Sequence, residues 1–350
     1  MKFGVAFASR IGDHHLVKLA EDLGFHQAWF YDSQMIYSDV FATMALAADR
    51  TSRIRLGTGV AVVSTRMAPV IAHSIGTIAQ IAPGRVDLGI GTGNTARYTM
   101  DLPPVSLSRL KKEVRVIREL LSGGTAEMEA EGKTVRVRFL HREGGYLNLS
   151  ERIPIILSAM GPKILEFCAR ECDGHMIWGI SPPLLATVRQ GIETAAAAAG
   201  RAPVPTVAFM PTTLLDAGET KASPRVLRVL ASFITNWLHV QCEWGERAPL
   251  PVDEDVIAIV DEYKRYAAAL PEGERHLTLH RGHLLFARED EQRFVRPELV
   301  DKVALAAEPD QVVDFLRKLE RGGLEQYILP INEDAEGEMR RFAERVMARM

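Results

Sequence analysis

Short apolar runs alternate, along the first 120 positions, with longer segments whose apolar residues recur every three or four positions. Continuous apolar runs are typical of strands buried on both faces, and the wider spacing is typical of helices that pack by one side. The pattern predicts four strand–helix units in succession. The predicted strands are KFGVAFAS, HQAWFYD, RIRLGTGVAVV and RVDLGIG.

The alternation is interrupted twice. Residues 125–150 contain KTVRVRFL and GGYLNLS, which predict a β-hairpin. The rhythm then resumes with strands IPIILSA, GHMIWGI and VPTVAFMPTTLL, and a last strand, EQYILPI, precedes a C-terminal helix. Residues 216–300 are too many for a connecting loop, so they are predicted to be a mostly helical insertion between strands seven and eight, over the strand ends.

Eight strands that alternate with helices predict a parallel sheet. Because the 350 residues contain no obvious linker, a closed (β/α)8 TIM barrel that forms a single domain over residues 1–350 is favoured over two separate domains. Ligands of such barrels bind at the C-terminal ends of the strands, and the candidate chemistry is therefore sought there.

Composition narrows the setting. The chain is 47% hydrophobic and 25% charged, and its net charge of −3 argues against nucleic acid or an anionic membrane as the main partner. No basic segment precedes an apolar stretch at the start, and no apolar run is long enough to cross a bilayer, so a cytoplasmic protein is expected. The three cysteines are too few for a disulfide framework.

The segment GRVDLGIGTGN at the end of strand four concentrates glycines where a backbone could approach a phosphate or a flat ring. A dinucleotide fingerprint requires a third glycine where Asn94 stands, and it belongs after the first strand rather than the fourth. A Walker loop requires Gly-Lys-Ser/Thr, which is absent. A ligand contact at the end of a barrel strand remains, with a flexible turn that binds nothing as the alternative.

Other strand ends carry comparable signals. Asp32 and Ser33 end strand two, and glycines inside strand three indicate close approach of a ligand or of another backbone. Strand five ends at residues 158–160, and Gly161, Pro162 and Lys163 then begin a helix, whose free N–H groups and positive dipole end suit a phosphate. Helices that begin with proline and bind no ligand are at least as common.

Four segments resemble the luciferase-like monooxygenase superfamily, in the same order and on the corresponding predicted elements. They are RIRLGTGV, APGRVDLGIGTGN, IPIILSAMGPKILEFCARECDGHMIWG and EPDQVVDFLRKLERGGLEQYILP. The resemblance covers nearly the whole chain apart from residues 216–300, and the glycine segments resemble the methylene-tetrahydromethanopterin reductase branch. It implies a TIM barrel that uses reduced FMN or the deazaflavin coenzyme F420.

The resemblance also implies where the cofactor lies. The ring would rest at the barrel mouth against strand three, where relatives that use the deazaflavin often have a non-proline cis peptide; the matching bond joins Gly59 to Val60. The ribityl and phosphate end would contact the ends of strands four and five, and strand six would close the far wall. The implied cofactor-binding residues are Asp32, Gly59, Val60, Gly91, Thr92, Gly93, Asn94, Arg97, Tyr98, Ser158, Ala159, Met160, Gly161, Pro162, Lys163, Trp178 and Gly179.

Two positions depart from the family pattern. Many relatives have a catalytic histidine after the aspartate of strand two, but this chain has Ser33, whose hydroxyl donates a hydrogen bond and is a poor general acid at pH 7. The reductases have a glutamate on strand one where this chain has Ala6, which argues against pterin reduction.

Three histidines, His276, His280 and His283, cluster in HLTLHRGHLLF. On a helix they would share a face, as metal ligands do, but HLTLH alternates like a strand and no acidic or cysteine set completes a site. The sequence therefore assigns no metal. One or two of these histidines are expected in the substrate cavity, and satisfied structural histidines are the alternative. Ser33 and His283 are the catalytic candidates.

The leading function predicted is that of a reduced-FMN monooxygenase acting on a small organic substrate. Because no nicotinamide site is visible, a separate flavin reductase is expected as a partner. The first alternative is F420-dependent hydride transfer to or from an alcohol, imine or enoyl group, and the second is a barrel that binds a flavin or small ligand without turnover. The resemblance implies a homodimer or homotetramer.

Overall fold

The computed structural model describes residues 1–245 and 252–350. The strands are β1 (Lys2–Ala8), β2 (Gln27–Tyr31), β3 (Arg55–Thr58), β4 (Ala61–Val62), β5 (Val86–Gly91), β6 (Ala126–Ala130), β7 (Lys133–Val137), β8 (Ile155–Ser158), β9 (Gly174–Trp178), β10 (Thr206–Phe209), β11 (Thr212–Leu214), β12 (Leu305–Ala307) and β13 (Leu324–Ile331). The α-helices are α1 (His14–Asp22), α2 (Val40–Arg50), α3 (Ala68–Ile81), α4 (Thr95–Tyr98), α5 (Leu107–Leu121), α6 (Pro162–Glu171), α7 (Pro182–Ala198), α8 (Pro224–Trp244), α9 (Ile257–Ala268), α10 (Arg275–Leu279), α11 (Val300–Val303), α12 (Pro309–Arg321) and α13 (Ala335–Arg345).

The main sheet closes on itself. Neighbouring strands pair in parallel in the order β1, β2, β3, β5, β8, β9, β10 and β13, and β13 pairs with β1. β4 also pairs with β5, so β3 and β4 together form the third barrel strand. This is a (β/α)8 barrel, and the predicted fold class is confirmed.

The helices and strands form largely where the sequence pattern places them, but the predicted seventh strand divides into β10 of the barrel and β11, which pairs with β12 outside it. All five residues of β2 are buried, as expected of a strand with the barrel interior on one face and helices on the other. In α12 the residues Val312, Val313, Leu316 and Leu319 share one buried face. Each such side chain contributes about 1.5–3 kcal/mol when removed from water, so the apolar stripe fixes the helix against the sheet.

The barrel interior is filled by the indole of Trp29, of which 1% is exposed. A Cβ built on Gly57 would lie 2.6 Å from two ring carbons of Trp29. A Cβ on Gly89 would lie 1.9 Å from the carbonyl oxygen of Thr58. The ligand approach expected at the strand-three glycines is therefore wrong for Gly57, because the group that approaches it is an indole of the protein itself.

Below Trp29, towards the N-terminal ends of the strands, the interior is polar and fully connected. The Trp29 indole donates to Gln326 (3.0 Å), and the Gln326 amide donates to Gln27 (3.3 Å). Gln27 donates to Asp87 (2.6 Å), which also accepts two hydrogen bonds of 2.8 Å from the Arg55 guanidinium. We call this network of five residues the barrel floor.

Two segments depart from the strand–helix repeat. β6 and β7 form an antiparallel hairpin with Ala126 opposite Val137, so the strands occupy only the first half of the predicted 125–150 segment. α8 to α11 lie between β11 and β12, two strands that pair with each other in parallel. Over the residues that the structure describes, none of the helices is both long and apolar enough to span a bilayer.

Candidate active site

Aromatic side chains from neighbouring strands meet at the C-terminal edge of the barrel. Trp178, at the end of β9, stacks on Phe209 with ring centroids 5.7 Å apart and planes inclined by 13°. Its ring also lies 6.4 Å from that of Tyr31 at the end of β2. Trp178 is half-buried, so part of this flat apolar surface faces outward. The structure thus places the predicted wall residue Trp178 at the mouth.

The peptide bond between Gly59 and Val60 is cis, as the family resemblance implies. Val60 and Val62 fill the space beside two glycines at the end of β5. A Cβ on Gly91, the last residue of β5, would lie 2.9 Å from Val60, and one on Gly93 would lie 2.5 Å from Val62. Gly93 also has φ +73°, which favours glycine. Packing within the protein therefore disfavours larger side chains at these two positions. Their contact with a cofactor, like that of Thr92, stays a prediction.

The side chains that follow β5 are engaged by other parts of the protein. Asn94 accepts a hydrogen bond from the indole of Trp244 (3.0 Å), and the Arg97 guanidinium donates to the carbonyl of Pro103 (3.0 Å). Tyr98 stacks on His280 with centroids 6.2 Å apart and nearly parallel planes. The predicted residues Asn94 and Tyr98 therefore join the barrel edge to the segment between β11 and β12, whereas Arg97 fixes the chain that follows α4.

The turn after β8 is open on one side and firmly held on the other. A Cβ on Gly161 would meet no atom within 4 Å, and Gly161, Pro162 and Lys163 are exposed at the start of α6. Behind them, the carbonyl of Ala159 lies 2.7 Å from Nε2 of His175, and burial lowers the pKa of His175 to about 4. A neutral imidazole donates this bond at pH 7, so the turn is held in place. An open helix start with a nearby lysine fits an anionic tail.

Asp32 and Ser33 follow β2 at the same edge. Arg66 bridges two carboxylates, lying 2.7 Å from Asp32 and 2.6 Å from Asp39. Burial raises the pKa of Asp32, and the contact with Arg66 opposes that rise. Burial disfavours the charged guanidinium, yet Asp32 and Asp39 outweigh it and raise the pKa of Arg66. Ser33 is buried, and its carbonyl accepts the N–H of Tyr37.

Helix α8 lies across the mouth. Asn332, directly after β13, donates to the hydroxyl of Ser232 (2.9 Å), and Trp244, twelve residues further along α8, bonds Asn94 after β5. At 1.5 Å per residue these two attachments are about 18 Å apart. Between them, the ring of Phe233 lies 6.4 Å from that of Trp178. We call the segment from α8 to α11 the roof.

The roof brings three histidines together, but they are not the three that the sequence groups. His239 of α8 joins His280 and His283, whereas His276 is half-buried and lies outside the cluster. Burial and the two neighbouring histidines hold the pKa of His283 well below its usual value. Its carbonyl accepts a hydrogen bond from Tyr37 (2.7 Å), and its Nδ1 lies 3.5 Å from Thr95 Oγ1. His283 thus lies beside the mouth, as predicted for a group near the substrate.

Several polar atoms at the mouth have no hydrogen-bond partner in the described part of the chain, although they are buried. They belong to residues at the C-terminal end of a barrel strand or one to three positions after it, close to the region in which a ligand is expected. The atoms are Tyr31 Oη, Gln34 Oε1, Ser64 Oγ and Asn332 Oδ1. Together with the Gly161 turn, they supply hydrogen-bonding capacity that suits the polar edges of a flavin-like ring and its tail.

A cleft of about 270 Å³ lies between the Leu227–Ser232 side of α8 and the chain around Phe286, and it shares Ser232 with the mouth. The Arg228 and Glu333 side chains, which form an ion pair of 2.8 Å, line it. None of the predicted site residues lines this cleft, and the convergent polar groups lie at the mouth instead. The mouth is therefore the candidate active site.

Sequence reasoning missed three residues of this site: Tyr31, Arg66 and Ser232. Arg66 and Ser232 lie far along the chain from the groups that they bind, and nothing in their immediate sequence marks them. His239 and Trp244 stand in FITNWLHVQCEWGE, an aromatic-rich stretch of the predicted insertion. Such residues either line a substrate pocket at the mouth or pack a helix on the barrel, and the sequence left both alternatives open.

The chain is similar to known proteins along most of its length. The profile of the luciferase-like monooxygenase family matches residues 14–326. A 5,10-methylenetetrahydromethanopterin reductase of Archaeoglobus fulgidus is 28% identical over 349 residues, which cover 95% of each chain. An F420-dependent glucose-6-phosphate dehydrogenase of Kineococcus radiotolerans is 31% identical over 201 residues, 52% of this chain and 58% of that protein.

The fold is also that of a solved structure. The coenzyme F420-dependent tetrahydromethanopterin reductase of Methanopyrus kandleri superposes with a TM-score of 0.69, covers 99% of each chain and is 22% identical.

Proposed function

Since this chain belongs to the luciferase-like monooxygenase family, we propose that it is an oxidoreductase that transfers a hydride between coenzyme F420 and a small organic substrate. The observation that carries the proposal is the similarity to sequence relatives. One is a reductase aligned over 95% of both chains, and another is an F420-dependent dehydrogenase. Sequence reasoning ranked reduced FMN first, and these relatives favour the deazaflavin instead.

The mouth fits such a cofactor. F420 supplies, when bound, a deazaflavin ring that accepts or donates a hydride. The half-buried Val60 and the stacked pair of Trp178 and Phe209 offer an apolar wall for a ring, and the buried Tyr31 hydroxyl offers a hydrogen bond. Such a wall excludes water from the reacting atoms, which is the main contribution of a protein to cofactor chemistry.

The turn at Gly161 is proposed to bind the anionic tail. Its helix start, its open Cβ direction and the adjacent Lys163 are those of an anion site. His175 holds this turn through Ala159, so the N–H groups are oriented before a ligand arrives. Residues 91–94 and the neighbouring Arg97 and Tyr98 are proposed to lie along the same tail.

Ser33 and His283 are proposed to be the groups that touch the substrate. The Ser33 hydroxyl is a potential hydrogen-bond donor to a substrate at the end of β2, beside the Asp32–Arg66 ion pair. His283 reaches the same region from the roof, since Tyr37 connects its carbonyl to the chain just after Ser33. Buried as a neutral imidazole, His283 is a hydrogen-bonding or ligating group rather than a base at pH 7.

The proposed substrate is a small alcohol, imine or enoyl compound rather than a pterin. Ala6 lies completely buried in β1, opposite Trp29 of β2 and Pro330 of β13. A methyl group at this position carries no ionisable proton, so the acidic group that the pterin reductases have there is missing.

The second candidate is oxygenation with reduced FMN, which the family description as monooxygenases favours. It requires reduced flavin from outside, and we propose a separate flavin reductase as the supplier in that case. The proposed setting is a cytoplasmic homodimer or homotetramer of single-domain chains. Sedimentation of the purified protein and fractionation of cells measure these two properties.

The experiment is a titration of purified protein with F420 and with FMN, each oxidised and reduced, followed by fluorescence. We expect preference for F420, and Gly161→Val is expected to weaken its binding more than about tenfold by crowding the tail. Gly273→Val is the matched control, because a Cβ there also meets no atom within 4 Å but the residue lies in the roof's outer 3-10 turn.

Preference for reduced FMN, with a product that forms only in air, would replace the first proposal by the second. Binding of either cofactor without any substrate-dependent reoxidation would indicate a carrier rather than an enzyme. Equal affinities in wild type and Gly161→Val would contradict the tail site alone.

A further inference from the structure

Three imidazoles converge in the roof above the barrel. One ring atom from each of His239, His280 and His283 lies within 4.8 Å of the others. The rings of His239 and His280 have centroids 5.9 Å apart, and those of His280 and His283 are 6.1 Å apart. The three side chains come from α8 and from the turn after α10, and their residues are only 2%, 3% and 7% exposed, respectively.

Each of two rings turns one nitrogen towards a carboxylate and leaves the other without a partner. His239 Nε2 lies 2.8 Å from Glu291, and His280 Nε2 lies 2.6 Å from Glu243, the second contact being close but poorly aligned for a hydrogen bond. Within residues 1–245 and 252–350, Nδ1 of both rings is buried with no hydrogen-bond partner. An imidazole nitrogen buried in this way has lost its hydrogen bonds to water without gaining a partner, which destabilises the folded protein.

This arrangement is the one that metal-binding histidines adopt. A ligating imidazole binds the ion with one nitrogen and commonly gives the N–H of its other nitrogen to a carboxylate, which fixes the tautomer and the ring orientation. Imidazole ligands suit zinc, copper, iron and nickel, and three of them leave one tetrahedral position open. We propose that His239, His280 and His283 bind a divalent first-row transition-metal ion, with Zn²⁺ as the representative ion.

The surroundings favour a cation. Glu291 is 1% exposed, is bonded by the Tyr263 hydroxyl and lies 3.1 Å from the Arg288 guanidinium, so its carboxylate is fixed against His239. Glu243 adds a second carboxylate, beside His280. Both carboxylates contact Nε2 rather than the unpartnered Nδ1 atoms, so they orient the ligands and offset the charge of the ion.

The site borders the mouth. Thr95, in the helix that follows β5, lies 3.5 Å from His283, and Tyr98 of the same helix stacks on His280. An ion bound by the three histidines keeps a fourth coordination position, which is open to a further ligand at this border. The metal proposal does not depend on the proposed cofactor, because every residue that carries it belongs to the roof.

The test uses untagged, full-length protein that has been dialysed against a chelator, without any cofactor. Titration with Zn²⁺ against a competing indicator is expected to saturate at one ion per chain. Co²⁺ is expected to give the strong visible absorption of a four-coordinate site. Binding of Co²⁺ should also raise the melting temperature of the protein. His280→Ala is expected to abolish this binding.

Two further variants make the result independent of the folding of His280→Ala. Glu291→Gln keeps the shape of the side chain but removes its charge, and it is expected to weaken Zn²⁺ binding by about tenfold or more. His276→Ala is the matched control, since this histidine belongs to the same segment but lies outside the cluster; its affinity for Zn²⁺ is expected to equal that of wild type.

Either of two results would overturn the proposal. One is wild-type protein that binds no Zn²⁺ at saturating concentration, and the other is binding that survives unchanged in both His280→Ala and Glu291→Gln. A protein that binds Zn²⁺ as expected but neither F420 nor FMN would support the metal site while contradicting the proposed function.

Discussion

The two ends of the barrel differ in whether their buried polar groups have hydrogen-bond partners. At the floor, Trp29, Gln27, Arg55, Asp87 and Gln326 bond to one another in an unbroken chain. At the mouth, several buried oxygen atoms have no partner among the described residues. Each unpaired group costs about 1–3 kcal/mol in a folded protein, so the mouth is less stable than its packing alone would make it. We infer that the floor stabilises the fold, whereas the mouth binds a ligand.

The largest effect should come from breaking the floor. Asp87→Ala removes the buried carboxylate that accepts three hydrogen bonds from Gln27 and the half-buried Arg55, and their combined loss is expected to cost about 3–5 kcal/mol. Urea unfolding measures the loss. Asp314→Ala, which removes an exposed carboxylate of α12, is expected to change stability by less than about 0.5 kcal/mol. A floor that tolerates Asp87→Ala equally well would contradict its structural role.

Two glycine substitutions compare a position packed inside the barrel with an open position at the mouth. Gly57→Ala places a methyl group 2.6 Å from the Trp29 ring and is expected to cost about 3 kcal/mol, because the indole cannot move. Gly161→Ala meets no atom and is expected to leave stability unchanged. Thermal melts of the two variants, followed by cofactor titration, give the answer. If the two variants lost stability equally, the distinction between packed and open glycines would be wrong.

Acid should weaken the mouth through His175. Unfolded chains bind a proton on this imidazole below pH 6.5, whereas the buried ring resists protonation down to a pKa of about 4. The contribution of His175 to the free energy of unfolding is therefore fully present above pH 6.5 and is lost as the pH drops towards 4. At pH 5 the loss is about 2 kcal/mol. Urea unfolding at pH 7 and pH 5 measures it, and His175→Gln should remove this part of the pH dependence. An identical pH dependence in the variant would exclude His175 as the source.

The smallest expected effect is that of a single buried hydroxyl at the mouth. Tyr31→Phe deletes a buried hydroxyl that has no described partner, so stability should stay the same or rise by less than about 1 kcal/mol. Affinity for the ligand at the mouth should fall roughly fivefold, which is the loss of one hydrogen bond. Calorimetric titration next to unfolding data separates the two. Loss of stability without loss of affinity would make Tyr31 part of the fold only.

Local patterns were enough to predict the barrel. Each strand and helix is marked by its own apolar spacing, and the four early units and the later strands lie where that spacing puts them. The positions of Ser33 and Gly161 at one edge followed from the rule that parallel strands end together, whereas that of Trp178 was implied by the family resemblance. These predictions required no knowledge of contacts between distant residues.

The contacts that define the interior could not be predicted in the same way. Nothing local indicates that the indole of Trp29 and the carbonyl of Thr58 fill the space beside Gly57 and Gly89, so the sequence could not decide between approach of a ligand and approach of another part of the protein. His239 is separated by 41 residues from His280, so only the folded roof brings it into the cluster in place of His276. The same holds for the Ser232–Asn332 bond, which joins residues 100 positions apart.

The attachment of the roof bears on how such a protein could change its substrate. Every residue of the floor lies outside the segment between β11 and β12, and the Trp29 indole prevents the cavity from deepening into the barrel. Specificity is therefore set at the mouth, and one way to change it is to replace the segment that carries Phe233 and the histidines. Such an exchange leaves every floor hydrogen bond in place, so selection in the laboratory could vary the catalytic repertoire there while the scaffold keeps its tolerance for mutation.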